Sequence, residues 1–252
     1  MRKIIAISRF TLLEAARSRL SWLVLGTVLV LCLASLLVRE LATTESQRIQ
    51  ISFLASLLRI TNALVIAAFI ISTLREFNDK VPALVLALDV ARSQFVLGKA
   101  LGLGLVAALV VLVYALPLAL LAPAATWWPW AVSLLLESLM IAAVSMFCGI
   151  SLRSVAAGLL FTIGFYVLAK SFAAIQLISH ASLNAASVTH RYMTGLLDTL
   201  ALLLPRLDQF AQTRWLVDGI ESAMLGGLAL QTIIFVALVT SAAMFDLYRK
   251  NL

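Results

Sequence analysis

Apolar residues fall into six long blocks parted by short polar breaks, at about 20–38, 53–74, 98–121, 130–150, 155–178 and 224–246. Each block is close to the ~20 residues that a helix needs to cross a ~30 Å hydrocarbon core. None alternates with a period of two, as strands of a membrane barrel do. Lipid gives backbone N–H and C=O groups no partner outside a helix or a closed barrel. The pattern predicts an all-α integral membrane protein with six transmembrane helices, folded as a single domain over 1–252.

Three segments fall outside these blocks. In residues 1–19, a helix would gather Ile4, Ile7, Thr11 and Ala15 on one side and Arg2, Arg9 and Arg17 opposite, which predicts a helix lying in the membrane interface. Its apolar run is broken by Arg9 and Glu14 before a secretory signal is complete. Residues 75–97 open on Arg75, Glu76, Asp79 and Lys80 and continue through an apolar run to Asp89 and Arg92. Pro82 suits a first helical turn, with Val81, Leu84, Val85 and Leu88 on one face. The expectation is a short amphipathic helix parallel to the membrane, with Ser93 capping the next span. It is either a handle for a soluble partner or a solvated loop. In residues 179–223, Leu196 to Pro205 is apolar but too short to cross, as re-entrant segments are, and is expected to cap the outer side by dipping partway in.

Composition agrees with this layout. Apolar residues make up 63% of the chain and charged ones 12%, about half the ~25% charged share of soluble domains. The net charge of +7 does not point to nucleic acid, because most Lys and Arg sit beside block ends. Their excess at residues 2–19, 75–99, Arg153 and 249–250 places both termini and the 75–97 segment in the cytoplasm. Trp127, Trp128 and Trp130 then form an aromatic anchor at the outer face, matched by Trp22 and Tyr248 at the inner one. Cys32 and Cys148 read as small buried hydrophobes. His180 and His190 lack the spacing of a metal site, so no metal is expected.

Little enzymatic chemistry is visible. Gly98-Lys99-Ala100 lacks the upstream glycine and the hydroxyl residue of a phosphate loop, so the chain is not expected to bind ATP. Gly98 and Gly102 instead make a GxxxG suited to close helix packing. Three ionisable residues lie within spans: Arg59, Glu137 and Lys170. Arg59 lies 16 residues before Arg75, Glu137 lies 16 before Arg153, and Lys170 lies 17 after Arg153. At ~1.5 Å per residue, all three sit roughly 24–26 Å from their markers and share one outer level. Glu137 is expected to pair with Arg59 or with Lys170, leaving one positive charge beside an outer cavity. That layer is either structural or part of a substrate path. Ser171, Thr162 and Tyr166 read as ordinary residues of the fifth span.

Three stretches resemble the permease subunits of ABC transporters of the type-2, exporter-like kind, close to the group associated with multicopper-enzyme maturation. They are LLEAARSRLSWLV after a basic leading helix, LVLALDVARSQFVLGK in the 75–97 segment, and FDLYRKNL at the end. Asp89 stands where that family commonly has proline. The resemblance implies a permease without catalysis of its own, in an inner membrane, paired with a second copy, and two cytosolic ATPase subunits that carry ATP and Mg. It further implies that Glu76, Asp79, Lys80, Asp89 and Arg92 dock on the ATPase, with Arg153 as a lesser contact. ATP hydrolysis would then drive export or mechanical work. The competing expectation is an ATP-independent carrier or channel.

Overall fold

The computed structural model describes residues 2–41, 45–87, 92–152, 154–180, 204–219 and 222–249, with side chains for all but 76–87, 92, 173, 176–180, 218, 222 and 223. Its helices are α1 (Arg2–Arg17), α2 (Leu20–Leu41), α3 (Ser46–Ala87), α4 (Arg92–Leu121), α5 (Ala124–Ser151) and α6 (Val155–His180). After a 3-10 turn at Leu207–Gln209 come α7 (Trp215–Asp218) and α8 (Ser222–Arg249). Among the described residues, six of these helices are long and apolar enough to cross a membrane, as the hydrophobic blocks predict. One end of the bundle carries α1; the other, the far end, carries residues 204–219.

α5 is the central rod. It packs against α3, α4, α6 and α8, and two thirds of its most apolar stretch is buried (67%), against 11% for α2 at the periphery. α2 leans on α3 and α4, while α6 leans on α5 and α3. The large exposed side chains of α2 and α8, Leu29, Leu37, Ile233 and Phe245 among them, suit a lipid-facing surface. Trp22 and Tyr248 are exposed, as anchor residues should be. Polar ties also link the helices: Thr27 shares a 2.7 Å hydrogen bond with Tyr114, and Ser151 donates to Asp246 at 2.8 Å.

α3 differs from expectation. No separate short helix opens at Pro82; the helix runs unbroken from Ser46 to Ala87. Its 42 residues span about 63 Å at ~1.5 Å per residue, twice the hydrocarbon thickness. The charged end therefore stands outside the apolar layer. Water can take the carbonyl that proline leaves without a donor there, so Pro82 is tolerated in a helix interior. α4 opens at Arg92, one residue ahead of the serine expected to cap it.

Helix α1 also has a definite seat. Its face Ile4–Ile7–Ser8–Thr11 lies in a notch on α4 made by Gly98 and Gly102. A Cβ on Gly98 would stand 2.9 Å from Ile7 Cβ and 3.2 Å from the Ile4 carbonyl; one on Gly102 would stand 2.7 Å from Thr11 Cβ. Beside the notch, Lys99 Nζ donates to Glu14 at 3.0 Å, with its side chain only 4% exposed. The GxxxG thus serves close packing, and its partner is the leading helix.

Gly102→Val is expected to overpack this notch and cost about 1–3 kcal/mol. Thermal unfolding in detergent should show a lowered midpoint, and a cysteine at Ser8 should become reactive. Gly164→Ala is the control, because nothing lies within 4 Å of that position.

Candidate functional site

Arg59 on α3, Glu137 on α5 and Lys170 on α6 meet at one level, as their depths predict. Glu137 does not choose between the two cations. Arg59 Nε donates to both of its oxygens, at 2.9 and 3.2 Å, and Lys170 Nζ donates to Oε1 at 3.0 Å. The carboxylate is fully enclosed, with 1% of its side chain exposed, while Arg59 and Lys170 keep 11% and 24%. The helix on which each stands is held by the others, so one acid ties three spans together. Enclosed charge in a membrane is tolerated when it is paired and hydrogen-bonded in this way.

The far-end segment closes over the three charges. Arg59 Nη2 donates to the Leu207 carbonyl at 2.9 Å, and Lys170 Nζ donates to the same oxygen at 3.2 Å. Leu207, Phe210 and Ala211 are completely buried. Ala211 is pinned from both sides: its N–H donates to Ser133 Oγ at 3.0 Å and its carbonyl accepts from Trp130 Nε1 at 3.1 Å. Its φ of 42° is left-handed, a region costing a residue with a Cβ roughly 1–2 kcal/mol. Two buried hydrogen bonds and the packing of Phe210 offset that strain. Part of the 179–223 segment, residues 204–211, therefore does enter the bundle, although residues 196–203 of the expected re-entrant stretch lie outside the described residues.

Two expectations are corrected here. Trp130 is no interfacial anchor: it is fully buried, whereas Trp128 is half exposed. Its indole N–H needs a partner inside the bundle, and the Ala211 carbonyl supplies one. Tyr166 is not an ordinary span residue either, since the Lys170 ammonium lies 5.4 Å from its ring centroid, within cation–π range. A step deeper, Asn62 on α3 donates to Ser138 on α5 at 2.7 Å, extending the polar seam.

Above this layer opens a cavity of about 530 Å³, lined by Arg59, Lys170, Asp208, Gln212 and Arg214 among others. A cavity thus lies beside these cations at the far end of the bundle, although Glu137 pairs with both rather than leaving one over. Glu76, Asp79 and Lys80 lie on the protruding end of α3 and Arg92 begins α4, so the chain brings them to the α1 end; their side chains, and all of Asp89 and Arg153, lie outside the described residues. Among the described residues, no three His, Cys, Asp or Glu side chains come together as metal ligands. Comparison with protein-family models and with curated proteins returned no match to this chain.

Removing the shared acid should be the most damaging change in the layer. Glu137→Gln leaves two cations facing each other and is expected to cost about 3–5 kcal/mol. Lys170→Gln leaves the Arg59–Glu137 pair intact and should cost less. Thermal unfolding of the purified variants would check the order, and equal midpoints would contradict the shared-acid description.

Proposed function

We propose that this chain is the membrane-spanning subunit of an ATP-driven transporter, coupled to separate cytosolic ATPase subunits. The observation that carries the reading is the length of α3. A helix twice the hydrocarbon thickness sets Glu76, Asp79 and Lys80 on a protruding end, beside the start of α4 at Arg92. That end suits a rigid handle: force applied to it acts directly on a span and, through the next turn of chain, on its neighbour. α1, seated on the first turns of α4, steadies the same region. The motif resemblance supports the reading, and with it a second permease copy, cytoplasmic termini and outward-directed export or mechanical work. ATP and Mg would belong to the ATPase.

An ATP-independent carrier is the second reading, favoured by the charged layer and its cavity. Transport in liposomes without nucleotide or partner would establish it.

The coupling reading predicts that the solubilised chain captures a cytosolic ATPase, and that Glu76→Lys combined with Arg92→Glu abolishes the capture while the protein still folds. ATP hydrolysis by the purified complex should fall to the level of the ATPase alone. Undiminished capture by the charge-reversed protein would remove the proposal's basis.

A further inference from the structure

We propose that the far-end cavity is a binding site for one anionic group, a carboxylate or phosphate oxyanion, held by Arg59, Lys170 and Arg214. The inference stands on the geometry of the cavity and is independent of ATP coupling. Two cations share a single carboxylate, and both of its oxygens are already occupied. The cavity wall adds Arg214 at its exposed rim and one further acid, Asp208. Among the described residues, three cations against Glu137 and Asp208 leave one positive charge over.

The donors needed to hold an anion are also there. A lysine ammonium carries three N–H groups and an arginine guanidinium five. Lys170 gives two, to Glu137 and the Leu207 carbonyl; Arg59 gives Nε and one Nη2 hydrogen to the same two groups. The rest of both cations borders the cavity, with the hydroxyls of Ser56 and Thr213 on the same wall. Partial burial strengthens charge-assisted hydrogen bonds made there. A volume of about 530 Å³ lies within the usual ~300–1,000 Å³ of small-ligand sites, large enough for a phosphate head with substituents. The anion has two possible sources: the headgroup of an acidic phospholipid, or a free anion, including the acidic part of a transported molecule.

The test uses the full chain in nanodiscs of phosphatidylcholine, titrated with inorganic phosphate at fixed ionic strength. Tryptophan fluorescence is the readout, because Trp215 adjoins Arg214, together with the unfolding midpoint. A saturable response is expected, weakened about tenfold or more by loss of one charged partner in Lys170→Gln and in Arg214→Gln. Arg214 is exposed, so its variant keeps the test valid if the Lys170 variant folds poorly. Arg39→Gln, an exposed change elsewhere at the far end, should respond like the parent protein. Discs containing phosphatidylglycerol separate the sources. A midpoint raised by that lipid, with the phosphate response suppressed, identifies the headgroup; an undiminished phosphate response identifies a free anion. The proposal is overturned if neither phosphate nor phosphatidylglycerol has an effect, or if both cavity variants retain the whole effect.

Discussion

An ionised side chain inside a bilayer has no water to screen it, so its position is dictated by its partners more strictly than that of any apolar neighbour. Glu137 is the extreme case in this protein. It sits on the central rod, is almost wholly enclosed, and accepts hydrogen bonds from two other helices. Apolar packing alone lets neighbouring helices slide or rotate at modest cost, since lipid tails are as apolar as leucine. The shared carboxylate removes that freedom at one level. The same two cations then reach up to Leu207, so the lid over the far end takes its position from the acid beneath it.

The two ends of the bundle are built on different principles. At the α1 end, contact depends on shape, with a glycine notch receiving a helix and Lys99 donating to Glu14 beside it. At the far end, contact depends on charge, and the match is uneven. α3 joins the two regions without a break, from Arg59 in the charged layer to Ala87 beyond the apolar zone. Between Arg59 and Pro82 the helix has no proline to interrupt its backbone hydrogen bonds, so that stretch bends little. In the proposed complex, a push on its protruding end would therefore tilt the Arg59 guanidinium against Glu137 and Leu207, where small displacements cost most.

The residues explain why some of this was legible in the sequence and some was not. A fixed rise per residue converts sequence distance into depth, so Arg59, Glu137 and Lys170 could be set at one level by counting. Depth says nothing of the angle around each helix axis, so whether Glu137 served one cation or both stayed open. The Leu207 carbonyl left no trace, because every residue carries one. Trp130 did leave a signal. Trp130, Ser133 and Glu137 recur at i, i+3 and i+7 on one face of α5, yet a tryptophan near a span end fits the aromatic-belt pattern equally well. Pro82 misled for a similar reason: a proline suits a first turn, and only the unbroken backbone shows that here it lies within a helix.

The lid and the charge surplus bear on one another. Leu207 offers the two cations a neutral carbonyl, a weaker acceptor than an oxyanion, so it takes one donor from each without cancelling their charge. The other attachments of the lid do not involve those cations: Ala211 hangs on Trp130 and Ser133, and Phe210 on apolar packing. An anion held by the remaining donors of the two cations would thus sit beside Leu207, on a segment that Ala211 pins independently. Had the surplus charge been neutralised by a second acid on α5, that acid would have taken the remaining donors, and the cavity would have had nothing to offer an anion.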